Sequence, residues 1–209
     1  MIGYVRFKHF VFAAVLAFAA AVSVAAQQSA APPLPPHGWR VDLSHSGVSF
    51  RIRHLGISWV NGRFNNWQGE LTFDPANPTA ASVTARIQTN SVDTQNERRD
   101  NDIKSGNYLA VDSFPEMVFV SKRVERVDDT HLRVIGDLTL RGVTKTVTLD
   151  TEITGLMDGQ RAKRIAFTAT TVISRMDFGV AFNRLVEGAQ VVGEEVRITI
   201  DIEAVQPIS

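Results

Sequence analysis

The chain has 209 residues, 22 basic and 22 acidic side chains, a formal net charge of +0 and no cysteine. The absence of cysteine excludes disulfides, thiol nucleophiles, thiolate metal ligands and lipid attachment through a cysteine, so packing must stabilise the fold. Basic residues are scattered along the chain rather than collected in one run, and this distribution gives no indication of a nucleic-acid partner.

The first predicted element is a secretory signal peptide over residues 1–26. Two basic residues, Arg6 and Lys8, precede an uncharged apolar run, and small residues precede a predicted cut between Ala26 and Gln27. An uncleaved membrane anchor is the alternative, although the apolar run is short for a bilayer span. Cleavage would export a mature chain of 183 residues, which is enough for one domain with a sizeable core.

Residues 27–38 predict a flexible or extended leader. The segment QQSAAPPLPPHG is rich in proline, alanine and glutamine. It lacks the apolar side chains that would offset the entropy cost of ordering it. The folded domain is therefore expected to begin at Trp39.

From Trp39 onward, apolar and polar residues alternate with period two in successive short segments. In the first of them, Val48, Phe50 and Ile52 share one face of a strand. Turn residues such as those of Asn61-Gly62 separate the segments. The pattern predicts roughly eight or nine strands with short connections, which is typical of an antiparallel sandwich or barrel.

One segment, TQNERRDNDIKSGNYL, loses the alternation. Thr94 and Glu97 have the spacing of a capping box, and Gly106 lies near the end of the segment. It predicts a helix of about ten residues inserted between strands. Arg98 and Arg99 of this helix have two interpretations: contact with a phosphate head group, or a solvated face on which Arg99 pairs with a carboxylate.

The stretch DLSHSGVSFRIRHLG contains residues typical of a hydrolase or a metal site. Alternation places His45 and His54 on opposite strand faces, so they are not expected to share a metal ion. Ser44 and Ser46 lie in no G-x-S-x-G motif. We therefore predict neither a metal site nor an enzyme; Asp42, His45 and Ser46 are expected to form hydrogen bonds at a strand start, and His54 to end a strand at a rim.

The aromatic residues allow two interpretations. Trp39, Trp59 and Trp67 are typical of core or rim packing, and the alternative is contact with a ligand.

The segment RMDFGV contains Asp-Phe-Gly but no other kinase motif accompanies it. It predicts a strand end that turns at Gly179, with Phe178 plugging the barrel.

Several blocks resemble, in order, the YceI-like polyisoprenoid-binding proteins. They are WRVDLSHSGVSFRIRHLG, NGRFNNWQGELTFDP, SVDTQNERRDNDIKSGNYLAVDSFPEMVFVS, GDLTLRGVTKTVTL and SRMDFGV. The resemblance extends from Trp39 to about Ala204. The chain departs from the family at YLAVD, where an aromatic pair is usual, and in the apolar, glycine-containing loop that follows RMDFGV.

The resemblance implies an all-β fold, an eight-stranded antiparallel lipocalin-like barrel with one inserted short helix, over residues 39–206. It also implies a periplasmic protein whose apolar interior holds a polyisoprenoid or a related long-chain amphiphile, with an isoprenoid quinone as one candidate. Such a protein would transport or store its lipid, or protect the cell under stress, through transient membrane contact. The family brings no cofactor, metal or catalytic residue, and its members are often homodimers.

The predicted barrel lining consists of inward-facing side chains. They are Val48, Phe50, Ile52, His54, Leu71, Phe73, Val83, Ile87, Phe119, Leu138, Phe167, Phe178 and Ile198. Arg53, Arg98 and Arg99 are candidate head-group contacts at the mouth. Gaps at small residues such as Ala85 and Ala169 suit a tapering tunnel and a packed core equally well.

Three classes of function are consistent with the sequence. The first is a lipid-binding protein. The second is an enzyme acting on a lipid head group, which requires His54 or His45 to converge with Asp42 or Asp100 at the mouth. The third is an interaction module whose barrel is solid.

Overall fold

The computed structural model describes residues 33–183, 185–186 and 188–208, with Ala189 described by its backbone alone. The predicted signal peptide and residues 27–32 of the predicted leader lie outside these residues. Within the described part of the chain, every helix is too short or too polar to be a membrane span.

Strands dominate the described residues. They are β1 Gly38–Val41, β2 Gly47–His54, β3 Ser58–Phe64, β4 Trp67–Thr72, β5 Ser82–Gln88, β6 Val92–Asp93, β7 Glu116–Arg126, β8 His131–Leu140, β9 Val143–Asp158, β10 Ala162–Ser174, β11 Leu185–Val186, β12 Ala189–Gln190 and β13 Val192–Pro207. The α-helix α1 spans Glu97–Lys104, and 3₁₀ turns occupy Leu43–His45, Pro78–Ala80, Thr89–Ser91 and Arg175–Phe178.

Eight of these strands close into an antiparallel barrel. They follow one another in the order β1-β4-β5-β7-β8-β9-β10-β13, and β13 pairs back with β1. Arg40 lies opposite Val205 at this closing pair, and Trp39 lies opposite Leu71 where β1 meets β4. The predicted eight-stranded antiparallel barrel with one short helix is confirmed.

β13 is long enough to pair with two strands along the same edge. Its C-terminal part pairs with β1, and its N-terminal part pairs with β2, with Val192 opposite His54 at the far end. The turn Leu43–His45 separates β1 from β2 and begins at Asp42, whose carboxylate accepts a hydrogen bond from the Ser44 amide at 3.0 Å. Beyond β2 the sheet continues through β3 and β6, so this end of the barrel has an additional wall.

The helix begins later than the capping-box spacing predicts. Asn96 is the N-cap, and its side-chain oxygen accepts a hydrogen bond from the Arg99 amide at 3.0 Å. Thr94 cannot cap the helix because its amide and hydroxyl both donate to the buried carboxylate of Asp100. The helix consequently has 8 residues, Glu97–Lys104, rather than about ten.

The barrel end near β1 is closed by buried apolar side chains. Trp39, Phe73, Ile165 and Phe167 belong to one buried cluster there. The Trp39 indole N–H donates to the Phe73 carbonyl at 2.8 Å, and the rings of Phe73 and Phe167 meet edge to face with centroids 5.2 Å apart. Alternation along β10 directs Phe167 inward and leaves Thr170 exposed.

We predict that Trp39→Phe lowers the free energy of unfolding by about 1–3 kcal/mol, because the buried Phe73 carbonyl loses its donor. The measurement is urea unfolding followed by circular dichroism. Trp67→Phe is the matched control, since Trp67 is also buried but its indole makes no hydrogen bond among the described residues. Equal losses in the two variants would contradict the prediction.

Candidate functional site

The barrel interior is hollow. A cavity of about 720 Å³ occupies it, which lies within the range of roughly 300–1,000 Å³ typical of small-molecule sites. Its wall is formed mainly by inward-facing aliphatic and aromatic side chains. A solid-core interaction module does not have such a cavity.

Most residues of the predicted lining lie on the cavity wall. They are Val48, Phe50, Ile52, His54, Leu71, Phe73, Val83, Ile87, Phe119, Leu138, Phe167 and Ile198. Phe178 does not lie on the wall. It is buried in the 3₁₀ turn after β10, where it packs in a second cluster with Leu140 and Ile173. Gly179, with φ +71°, reverses the chain directly after it, as the sequence predicts.

The wall also contains residues that the sequence analysis did not select. Leu132, Val134 and Leu149 point inward from β8 and β9, and the period-two alternation of these strands would have been sufficient to find them. Tyr108 and Arg175 lie on the wall as well. These two belong to irregular segments, where no periodic pattern indicates which way a side chain points.

The two ends of the cavity differ in exposure and polarity. The wall at the closed end consists of buried apolar residues, among them Phe73, Leu132 and Phe167. The wall at the other end includes the exposed residues His54 and Ser58, so the cavity opens near the β2–β3 turn. We call this open end the mouth.

Arg175 is a buried cation at the mouth. Its side chain is 3% exposed, and its guanidinium donates to the carbonyls of Gly193, Val192, Phe182 and Val180. Burial lowers the pKa of the Arg175 guanidinium from its usual value, yet an arginine remains charged in proteins. Arg175 therefore ties the segment that contains Val180 and Phe182 to the first residues of β13.

The three arginines proposed as head-group contacts occupy different positions. Arg53 lies on the wall at the mouth, with its guanidinium carbon 4.0 Å from the ring centroid of Trp59. Arg99 also lies on the wall, but it donates to the hydroxyl and carbonyl of Thr94, each at 2.7 Å, rather than to the expected carboxylate. Arg98 is exposed and is not part of the wall.

Asp42, His45 and Glu203 form a polar group around the turn between β1 and β2. One ligand-type atom of each lies within 4.8 Å of the others. Arg164 contacts both carboxylates, at 3.7 Å from Asp42 and closer to Glu203, and its single positive charge offsets part of their negative charge. Hydrogen bonds from the His45 ring and then from the Ser44 amide lower the pKa of Asp42. The predicted hydrogen bonds at this strand start are present: the His45 ring pairs with Asp42, and the Ser46 hydroxyl accepts from the Glu203 amide at 2.9 Å and donates to the Glu203 carbonyl.

The histidines and carboxylates required for head-group chemistry do not converge. His54 pairs with Val192, whereas the Asp42 amide donates to the Glu203 carbonyl, so the two sites are separated by most of β13, roughly 35 Å of extended chain. The carboxylate of Asp100 accepts both hydrogen bonds from Thr94. None of the predicted base and carboxylate pairs is assembled at the mouth.

Comparison with known proteins identifies the family of the chain. The sequence model of the YceI-like domain family matches residues 39–204 of this chain. "Protein YceI" of Salmonella arizonae is 40% identical over 163 residues, which cover 78% of this chain and 82% of that protein. The chain belongs to the YceI-like family. The family resemblance inferred from the sequence blocks is thereby confirmed.

Solved structures share the YceI-like barrel. A YCEI protein of Campylobacter jejuni has a TM-score of 0.64 and 30% identity, covering 74% of this chain and 90% of that one. BcnA of Burkholderia cenocepacia has a TM-score of 0.69 at 22% identity, over 78% and 98% of the two chains. A polyisoprenoid binding domain from Saccharophagus degradans has a TM-score of 0.59 at 14% identity, over 81% and 98%. At these two lower identities, the similarity to BcnA and to the Saccharophagus degradans domain shows a shared fold only.

We predict that Arg175→Met loosens the chain around Val180 and Gly193, because buried carbonyls lose their donor. The loss of stability should be about 3–5 kcal/mol. Hydrogen exchange read by mass spectrometry should show faster exchange in peptides that cover these residues, and urea unfolding gives the magnitude. Arg98→Met, at an exposed position, is the control. Unchanged exchange in Arg175→Met would contradict the role assigned to the guanidinium.

Proposed function

We propose that this YceI-like protein is a periplasmic lipid-binding protein that holds a polyisoprenoid or a related long-chain amphiphile inside the barrel. The observation that carries the proposal is the apolar cavity of about 720 Å³ with a polar, exposed mouth near the β2–β3 turn. The shared fold with a polyisoprenoid binding domain supports the ligand class. The family and the predicted signal peptide support the periplasmic location.

The energetics favour a ligand with a long hydrocarbon tail. At about 0.8 kcal/mol per buried methylene-like carbon, one five-carbon isoprene unit contributes up to roughly 4 kcal/mol. Association costs about 4–15 kcal/mol, so four or more buried units suffice without any polar contact. A bilayer solvates the same tail comparably well. The protein is therefore expected to exchange lipid with membranes through transient contact, as a carrier or store does.

The polarity of the cavity determines the proposed orientation of the lipid. The tail lies among the buried side chains at the closed end, near Phe73 and Phe167. The head group lies at the mouth, where Arg53 and Arg99 line the wall. Arg175 also lines the wall, but its guanidinium donates to backbone carbonyls. Guanidinium groups donate hydrogen bonds to phosphate and carbonyl oxygens, so a phosphorylated polyisoprenoid and an isoprenoid quinone both fit this end.

Purification from the periplasm followed by lipid extraction tests the proposal directly. We expect organic extraction and mass spectrometry to recover one long-chain amphiphile per barrel, and N-terminal sequencing to begin at Gln27. Analytical ultracentrifugation of the same sample would show whether the protein forms the homodimer common in the family. Recovery of no lipid from protein that is folded by circular dichroism would contradict the proposed function.

Filling the cavity should displace the lipid. Ala169 is buried on the wall, so Ala169→Leu places additional carbon atoms where the tail is expected. We predict that the variant retains its fold but that its affinity for the lipid falls at least tenfold and less lipid is recovered, since a displaced segment of tail forfeits roughly 1.4 kcal/mol or more.

Thr170→Leu is the matched control for this variant. Thr170 is the next residue of β10 and is exposed on the outside of the barrel, so it receives the same side chain outside the cavity. We expect it to retain wild-type lipid content. Equal lipid in both variants would show that the tail does not occupy this part of the cavity.

A further inference from the structure

Three large apolar side chains project into solvent at the mouth. Ile57 in the turn between β2 and β3 is 80% exposed, and Leu185 and Val186 of β11 are 71% and 45% exposed. None of them lines the cavity. Exposed apolar groups that are close together typically mark a surface for a partner or a membrane.

The turn between β2 and β3, which carries Ile57, lies beside the β11–β12 hairpin, which carries Leu185 and Val186. The Leu55 amide donates to the Val191 carbonyl at 3.1 Å, and His54 pairs with Val192. The short hairpin of β11 and β12 ends directly before this contact. Ile57 and the β11 side chains therefore belong to one end of the barrel, at the edge of the mouth.

Three arginines surround one tryptophan beside these turns. The guanidinium carbons of Arg53, Arg51 and Arg197 lie 4.0, 4.8 and 5.3 Å from the ring centroid of Trp59. β2 carries two of these arginines, β13 the third, and β3 the tryptophan, so the group spans three adjacent strands.

These arginines lack carboxylate partners, in contrast to others on the barrel. Arg63, Arg86 and Arg164 each form an ion pair with an aspartate or glutamate. No ion pair within the described residues involves the three arginines around Trp59. Glu195 lies two residues from Arg197 on β13 but is not paired with it. The positive charge of the group is therefore available to an external anion.

A bilayer with anionic head groups complements both parts of this end of the barrel. Tryptophan is enriched at the membrane–water interface, and arginine keeps its charge at head-group level while its stem lies on apolar surface. Exposed isoleucine, leucine and valine can enter the boundary with the acyl chains. Each arginine close to an anionic surface strengthens binding roughly fivefold.

We propose that Ile57, Leu185, Val186 and the arginine group around Trp59 form a docking surface for an anionic bilayer. The surface would place the cavity mouth against the membrane, where lipid enters or leaves. This inference rests on the proposed lipid-binding function for its purpose. Binding of the surface to vesicles is nevertheless measured separately from the lipid content of the cavity.

Sedimentation with vesicles tests the docking surface. The mature protein is mixed with vesicles of phosphatidylcholine alone, or of phosphatidylcholine containing one third phosphatidylglycerol. We expect binding to the anionic vesicles that weakens as salt is added. Ile57→Ser combined with Leu185→Ser should weaken binding at least tenfold because two apolar side chains no longer enter the interface. Arg51→Gln combined with Arg197→Gln should weaken it roughly thirtyfold.

The opposite end of the barrel provides a matched control. Leu156 and Met157 are 51% and 54% exposed, and Met157 lies opposite Arg164 on β10, far from the Ser174 end. Leu156→Ser combined with Met157→Ser should leave vesicle binding unchanged. Arg133→Gln, at an exposed ion-paired arginine, is the charge control.

The outcomes separate docking from lipid binding. Weaker vesicle binding in the Ile57/Leu185 and Arg51/Arg197 variants, with the lipid recovered from the cavity unchanged, supports the docking surface. Equal vesicle binding in these variants and the opposite-end controls would overturn it, as would equal wild-type binding to neutral and anionic vesicles. A shift from dimer to monomer in these variants, with vesicle binding unaffected, would assign the surface to a second copy of this chain and also overturn it.

Discussion

The pairing of β13 with two successive strands is the constraint on which the rest of the structure depends. β1 pairs with the C-terminal part of β13 and also with β4, which closes the barrel at that end. β2 pairs with the N-terminal part but continues into β3 rather than β4, so the sheet diverges there. The turn at Leu43–His45 marks the change of partner. One strand therefore joins a closed end to an open one.

The hollow interior depends on where the aromatic rings of the wall are placed. A Cβ atom at Gly136 would lie 2.5 Å from Phe119 Cζ, and one at Gly62 would lie 2.3 Å from Phe50 Cζ. Both rings therefore pack closely against backbone of a neighbouring strand, where only glycine leaves room for them. A ring held against the wall occupies less of the lumen than one that crosses it. The same composition of large and small residues thus gives a cavity instead of an interdigitated core.

Sequence patterns were sufficient for the barrel and for most of its inward-facing residues, because strand alternation is a local property. They were insufficient where individual side-chain contacts decide. The capping-box spacing of Thr94 and Glu97 was misleading, because Asp100 engages Thr94 and leaves Asn96 to cap the helix. The volume of the cavity could not be derived either. It depends on how rings meet glycines of other strands, and one sequence without coordinates does not record those pairs.

The mouth differs physically from the remainder of the barrel in how its backbone is stabilised. Over most of the barrel the strands satisfy one another's backbone groups through antiparallel ladders, interrupted by register shifts in β7 and β10. At the mouth, the carbonyls of Val180 and Phe182, and those of Val192 and Gly193 at the start of β13, accept hydrogen bonds from the buried side chain of Arg175. The Asn183 side chain donates a further hydrogen bond to the Val192 carbonyl. Segments with few ladder hydrogen bonds open at lower free energy than the strands beside them. Local opening at this end would widen the path to the cavity while β1, β4 and β13 keep the opposite end closed. A lipid that enters tail first would then pass through the end of the barrel that β1 and β4 do not close, and the exposed apolar residues beside it would shorten the distance that the tail travels through water.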